Sequence, residues 1–406
     1  MKIGIFTETY KPYISGLVTS EVMLKEALEK MGHTVYVVTA NLESYHYEYD
    51  EKEKVLKIPG IPTGIYDSRL TSIYPIKAVN IIKNWGLDVI HSQTEFAIGT
   101  FARLFSKQYN IPIVHTYHTM YEDYVHYITK GYFGYSSKKI VEYLTKFYCD
   151  KTITELIVPT KKAYQLFKEK YNVERNIHIV PTGIEVERFY IEKSSTKEIN
   201  ELRRKYNLSR KNFCLVFVGR IAEEKNIPFL IDVINSLKDK YPNLKLLIIG
   251  DGPDKEKYEK YTNEKHCEKN IIFTGKVPWD KVPIYYHISD VFVTASKSET
   301  QGLTVIEAMA ASLPTLCIND ESFNNTVIDG LNGYLFETKE ECGEKIELLM
   351  NDKKLRKSIE NGARTSADGH SSTIFAQRVL MVYETALKNK KISFKEKITN
   401  WLRGEK

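Results

Sequence analysis

Apolar residues cluster along the chain in short unbroken runs, rich in Val, Ile and Leu and bounded by Gly, Pro or polar residues. Such runs predict strands buried on both faces, as in parallel sheets. They occur at Lys2–Phe6 (KIGIF), Thr34–Thr39 (TVYVVT), Asp88–His91, Ile111–Thr116, Leu156–Pro159 and Ile177–Pro181. Between the first two lies a loop, Thr7–Gly16, and a helical stretch over Leu17–Met31 that stops at Gly32. The pattern then restarts. Phe213–Val218 (FCLVFV) ends at Gly219, a helix spans Asn226–Tyr241 with Pro228 in its first turn, and Leu244–Ile249 ends at Gly250. Later strands are expected at Ile271–Thr274, Val291–Thr294 and Thr315–Ile318. Strand alternating with helix, twice over, predicts two α/β units of the doubly wound kind. The polar stretch Glu185–Asn200 is the expected boundary.

A different pattern marks Ser298–Ala311 (SETQGLTVIEAMAA). A polar turn runs into a helix whose residues from Leu303 onward are apolar or small, apart from Thr304 and Glu307. A helix apolar nearly all round is expected to be buried, so Glu307 needs a partner. An Arg or Lys in the core would suffice; so would a ligand. Glu299 stands at the turn, eight residues before Glu307, and Gly302 lets a ligand approach the backbone.

Length and composition fit this picture. The chain has 406 residues, enough for two domains, and its 42% hydrophobic and 27% charged content is that of a globular protein. No cleavable signal and no membrane-spanning run is expected. Five scattered cysteines without a CxxC suggest reduced thiols. The net charge of +6 is concentrated at one end: Lys388–Lys406 holds seven Lys or Arg and two Glu, or +5. The rest of the chain is therefore near neutral, and nucleic acid is not an expected partner.

Ligands of open α/β sheets sit beyond the carboxyl ends of the strands. The polar residues at those ends are Thr7–Gly16, His118, Gly219–Lys225, Gly250–Pro253 and Glu299, and two such rims facing each other would form a cleft. Gly16 opens a helix and offers backbone N–H groups to a phosphate, or simply starts a turn. Arg220 and Lys225, after Phe213–Val218, suit a diphosphate, although Glu223 and Glu224 could merely neutralise them. His115 and His118 are three apart, but nothing at a familiar spacing completes a metal site. Gly250–Pro253 (GDGP) has Lys255 where GxGxxG needs its third glycine, and no GK[ST] P-loop is present.

The order and spacing of these motifs resemble those of retaining glycosyltransferases of family 4, over about residues 1–369. Glu299 and Glu307 match that family's pair of glutamates separated by seven residues. Arg220 and Lys225 match its Arg and Lys five apart, and His118, the Gly16 loop and the Gly250 loop fall in family order. Where members often carry two small residues with a second glycine, this chain has Ser15–Gly16. The resemblance implies the GT-B fold: two Rossmann-like, doubly wound domains facing across a cleft. Residues 1–190 would bind acceptor and 191–373 the nucleotide sugar, with the last helix, about 374–406, returning to the first domain. It also implies hexose transfer from a nucleotide sugar with retention and without a metal or other cofactor. Glu307 would accept from the ribose hydroxyls, and Glu299 would touch the transferred sugar. Arg220 and Lys225 would stabilise the leaving diphosphate, His118 would lie near the reacting carbon, and Gly250, Gly302 and Leu303 would line the donor site.

The stretch HTMYEDYVHY, which includes Tyr121 and Tyr124, resembles the same stretch in bacterial diacylglycerol glucosyltransferases. This implies UDP-glucose as donor, diacylglycerol as acceptor and a peripheral site on the cytosolic membrane face. A packed aromatic face is the alternative for Tyr117, Tyr121 and Tyr124. Three basic, amphipathic stretches would suit an anionic membrane surface, or equally a solvated helix: Arg69–Trp85, the lysines Lys161, Lys162, Lys168 and Lys170, and the tail with Phe394, Ile398, Trp401 and Leu402. Other readings stay open: a family member acting on a soluble sugar or polysaccharide precursor, a nucleotide-sugar 2-epimerase of the same fold, and a silent binding protein.

Overall fold

A computed structural model describes residues 1–13, 16–62, 69–118, 142–297, 299, 301–324 and 326–403, with the backbone alone for 391–403. Contacts divide the chain into two units, Met1–Gly183 with Ser372–Lys406, and Ile184–Ser371. The division falls just before the polar stretch at which a boundary was expected.

The first unit holds a nine-stranded sheet. Its strands are β1 (Lys2–Phe6), β2 (Thr34–Asn41), β3 (Glu48–Asp50), β4 (Val55–Pro62), β5 (Arg69–Thr71), β6 (Val89–Ser92), β7 (Ile113–Thr116), β8 (Glu155–Val158) and β9 (Ile177–Ile179). The order is β3-β4-β2-β1-β6-β7-β8-β9, with β5 paired to β4. Among the described strands only β3 and β5 run antiparallel. Strand order reverses between β1 and β6, so the loops leaving these two strands flank the switch point.

Both faces of this sheet are covered. Phe6, Ile90, Phe101 and Phe105 belong to one core cluster, and Ile5, Val37, Leu24 and Leu28 to another. The second also takes in Phe375, Val379, Val382 and Tyr383 from the long helix Ser372–Arg403. That helix packs on the helix Gly16–Lys30 and on β7 and β8, and among its described side chains the last in the core is Ala386.

The second unit is a six-stranded, wholly parallel sheet: β10 (Phe213–Val218), β11 (Leu244–Ile249), β12 (Ile271–Gly275), β13 (Val291–Thr294), β14 (Thr315–Ile318) and β15 (Gly333–Phe336). The order β12-β11-β10-β13-β14-β15 reverses between β10 and β13. Four strands, β10, β11, β13 and β14, begin and end where the apolar runs do, because each run stops at a Gly, a Pro or a polar turn. All five cysteines are buried and unbridged.

Candidate functional site

The second unit's switch point gathers most of the charged residues singled out from the sequence. Beyond β10 the chain turns through Gly219 and the exposed Arg220, and a short 3-10 helix, Glu223–Lys225, places Lys225. Beyond β13 it reaches Glu299. Lys225 Nζ and Glu299 Oε1 meet at 2.5 Å, with both side chains about four-fifths covered. The Glu299 carbonyl accepts from Ser322 Oγ at 2.6 Å, which ties the turn to the loop after β14. A cation and an anion thus stand together at the carboxyl ends of β10 and β13.

Two glycines are required here. Gly250 has φ +138°, and a Cβ on it would lie 1.9 Å from the Gly219 carbonyl oxygen. The GDGP turn therefore packs directly on the loop that carries Arg220. Gly302 has φ +71°, and a Cβ there would press to 2.6 Å on the Phe323 ring. In this left-handed conformation Gly302 caps the helix Leu303–Ala310.

That helix is less enclosed than its composition suggests. Val305, Ile306, Ala308, Met309 and Ala310 are buried, whereas Leu303, Thr304 and Glu307 share a half-buried face. The partner of Glu307 is neither Arg nor Lys: the hydroxyl of Tyr286, itself fully buried, donates to Oε2 at 2.8 Å. Burial lifts the Glu307 carboxyl to about 7, opposed by the Tyr286 hydrogen bond and by the field of Arg188. Arg188 stacks on the Trp279 ring and donates to the Trp279 carbonyl at 3.0 Å. Neither Tyr286 nor Arg188 was singled out from the sequence. Nothing in VPIYYH marks its second tyrosine until the helix Val282–His287 is seen against Leu303–Ala310.

The first unit has its own polar rim at the β1/β6 switch point. Glu8, after β1, accepts from the Ile98 backbone N–H at 2.7 Å, and burial lifts its carboxyl to about 7. After β6 come Gln93 and Glu95, and after β7 comes His118. His118 Nε2 lies 2.6 Å from Gln93 Oε1, and burial pushes its imidazole down to about 4, so the ring is neutral near pH 7. His115 is a strand residue, as expected, with Nδ1 2.9 Å from the Ser92 carbonyl and Nε2 3.0 Å from Glu95. Glu95, His115 and Cys149 bring ligand atoms within 4.8 Å of one another. The buried Arg103 guanidinium acts on both His115 and Cys149, and a fixed cation beside the cluster opposes a second one. Gly16 opens its helix in the open, with nothing within 4 Å of a Cβ built on it.

The expected acceptor and membrane residues divide. Trp85 is a correction: it is buried and stacks on Tyr36 with ring centroids 4.5 Å apart, so it is a core residue and cannot reach a membrane. Arg69–Trp85 is not one amphipathic helix but strand β5, the helix Ile76–Ile82 and a 3-10 turn, Lys83–Trp85. Helical spacing of apolar residues does not separate a core face from a membrane face. Leu70, Ile73 and Ile76 are exposed. Arg69 is half-buried, donates to the Ser44 carbonyl at 2.8 Å and lies over the Tyr45 ring. Lys161 is exposed and Lys162 half-buried, at the start of the helix Lys161–Gln165. Tyr117 ends β7's exit inside the core, edge-on to Phe167, and does not belong to a tyrosine face on a helix. Tyr121 and Tyr124 lie outside the described residues. Trp401 lies in the backbone of the long final helix. Among the described residues, no helix is long and apolar enough to cross a membrane.

Two doubly wound sheets, the second with a paired cation and acid at its switch point, fit the GT-B fold of glycosyltransferases. Family comparison agrees: residues 14–188 match the Glycosyltransferase Family 4 model and residues 198–366 match Glycosyl transferases group 1. The chain is 36% identical to an alpha-monoglucosyldiacylglycerol synthase of Acholeplasma laidlawii, over 97% of this chain and 100% of that protein. It is 34% identical to an enzyme of the same name from Streptococcus pneumoniae, over 83% of this chain and 75% of the other. The fold is similar to that of an Anabaena protein, HepE, solved in complex with UDP, at TM-score 0.72 and 16% identity over 95% and 100% of the two chains. The chain belongs to glycosyltransferase family 4.

Proposed function

We propose that this glycosyltransferase moves glucose from UDP-glucose to diacylglycerol, with retention at the anomeric carbon, on the cytosolic face of an anionic membrane. The observation that carries the reading is the near full-length identity of 36% to a monoglucosyldiacylglycerol synthase, together with Arg220, Lys225, Glu299 and Glu307 gathered on one half of the fold. Glu307 takes the ribose hydroxyls, since a carboxylate accepts from both members of a vicinal diol. Arg220 and Lys225 take the diphosphate, and Gly250, Gly302 and Leu303 line the donor site beside them. Glu299 orients the sugar hydroxyls while its ion pair orients Lys225.

In the step itself the bond from the anomeric carbon to the diphosphate oxygen breaks, and its electron pair leaves with UDP. The acceptor oxygen bonds to the same face of the sugar, and its proton passes to the departing diphosphate. Arg220 and Lys225 stabilise the negative charge that grows there. No metal or other cofactor is assigned a role. The test is transfer of radiolabelled glucose from UDP-glucose into vesicles that contain diacylglycerol, beside a soluble sugar acceptor. Label in the lipid phase is the expected result. Label only in the soluble sugar, or only free glucose, would overturn the acceptor assignment.

A further inference from the structure

Glu307 is held through one oxygen only. Oε2 accepts from the Tyr286 hydroxyl at 2.8 Å, and among the described residues nothing donates to Oε1. An open oxygen can accept from a ligand hydroxyl, but burial makes the ionised form costly. A cation in direct contact would offset that cost, and it would also fill the open oxygen.

Arg188 gives the charge without the contact. Its guanidinium carbon lies 3.1 Å from the centre of the Trp279 ring, and Nη2 donates to the Trp279 carbonyl at 3.0 Å. A planar guanidinium suits both the ring face and the carbonyl beside it. It acts on Glu307 through its field and not through a hydrogen bond. The backbone that carries it is fixed too. The 3-10 turn Val186–Phe189 packs on both Leu303–Ala310 and Val282–His287. The Phe189 ring meets Tyr286 edge-on with centroids 5.8 Å apart, and the Phe189 carbonyl lies 2.8 Å from His287 Nε2. All of these residues belong to the second unit.

We propose that Arg188 is a positioning residue for the donor: stacked on Trp279, it lends a positive field to Glu307 while leaving Oε1 open to a ribose hydroxyl. This rests on the reading of Glu307 as the ribose acceptor.

The other groups around Glu307 are engaged elsewhere or uncharged. Burial keeps the Tyr286 hydroxyl protonated. The helix Lys353–Asp368, packed on Leu303–Ala310, brings Arg364. Its Nη1 donates to the Ala310 carbonyl at 3.3 Å, and its guanidinium lies over the Tyr190 ring with Glu192 3.8 Å away. Strand β14 brings Cys317, whose thiol burial pushes up. Glu185 and Asp280 act on Arg188 itself and favour its charged form.

Two substitutions separate charge from packing. Arg188→Gln keeps a donor for the Trp279 carbonyl and removes the charge; Arg188→Lys keeps the charge. Carbon NMR of the Glu307 carboxyl in the full-length protein, without ligand, reads its titration directly. Loss of a nearby cation raises a carboxyl pKa. The wild-type midpoint near 7 should therefore move up in Arg188→Gln and stay close to its place in Arg188→Lys. Calorimetry should then show UDP binding to Arg188→Gln about fivefold weaker than wild type at pH 7, with the two converging by pH 9. An unmoved Glu307 titration in folded Arg188→Gln would overturn the proposal whatever the protein binds. Weakening by the same factor at every pH would reduce Arg188 to a packing role and overturn it too. A shifted titration with unchanged UDP binding at pH 7 would overturn the link to the donor. Glu307→Gln, measured beside them, tests the underlying reading: wild-type UDP affinity in that variant would overturn the ribose role, and the link with it.

Discussion

Lys225 Nζ and Glu299 Oε1 lie 2.5 Å apart across the point where strand order reverses in the second sheet, one from the loop after β10 and the other from the loop after β13. This pairing predicts coupled effects. Lys225→Ala and Glu299→Ala should each lower kcat/KM. The double variant should be less damaged than the sum of the two, by roughly 0.5–3 kcal/mol, because each single change strands the other charge. Steady-state kinetics on the four proteins of the cycle give the coupling directly, and strict additivity would mean the two residues act separately.

Arg220, on the same loop, is exposed and has no part in the core. Arg220→Ala should therefore leave thermal stability near that of the wild type while costing about 3 kcal/mol, or ~100-fold, in rate. A large fall in melting temperature would assign Arg220 to the fold instead.

With Glu307 accepting from the ribose as proposed, donor binding depends on pH. Its carboxyl, lifted to about 7 by burial, is largely protonated at pH 6, yet the ribose hydroxyls need the carboxylate. UDP affinity should fall about tenfold from pH 8 to pH 6, and UDP binding should release protons. Stability runs the other way. A carboxyl whose folded pKa is raised stabilises the fold most below its unfolded value of 4.5, and that contribution is lost as pH rises through about 7. Tyr286→Phe removes the hydrogen bond that opposes the shift and should move the midpoint of the UDP profile upward; Glu307→Gln should flatten it. Isothermal titration in buffers of different ionisation heat measures both effects.

Trp85→Ala should act on stability and not on lipid binding. The ring is buried against Tyr36, so truncation should cost about 3–5 kcal/mol. The folded fraction should sediment with anionic vesicles as the wild type does. Denaturant melts and sedimentation, run on the same preparation, check the pair of outcomes.

The tail gives the opposite expectation. Among the described side chains the last buried apolar residue of the final helix is Ala386, and truncation after Leu387 keeps it and those before it, although Asn389 no longer reaches Glu155. The removed segment carries +5. At about 1 kcal/mol per cation near an anionic leaflet, its loss should weaken vesicle binding strongly at low salt and less at high salt. Equal binding by both proteins would leave the tail without that role.

How much of this could be read from the chain follows from what local pattern encodes. Phe213–Val218, Leu244–Ile249, Val291–Thr294 and Thr315–Ile318 are legible as strands because parallel strands buried on both faces are unbroken apolar runs. Val55–Pro62 escaped notice because Lys57, Pro59 and Gly60 interrupt it, and Gly333–Phe336 because it is short and opens on glycine. The acids and cations at the second sheet's switch point were legible through their resemblance to the family's motifs, since their spacing alone also suits a neutralised surface. Their contacts were not: the Tyr286–Glu307 hydrogen bond joins two helices, and Gln93–His118 joins two loops 25 residues apart. Trp85 misled because an amphipathic run beside lysines has the same composition whether its apolar side meets lipid or Tyr36.

The central claim is transfer of glucose to diacylglycerol with retention, and the product itself tests it. UDP-glucose carrying α-linked glucose is incubated with the full chain and diacylglycerol vesicles, and the glycolipid is extracted for proton NMR. A monoglucosyl diacylglycerol with the small anomeric coupling of an α-linkage is the predicted result. A β-linked product would contradict retention, and absence of any glucosylated lipid while another acceptor is consumed would contradict the acceptor.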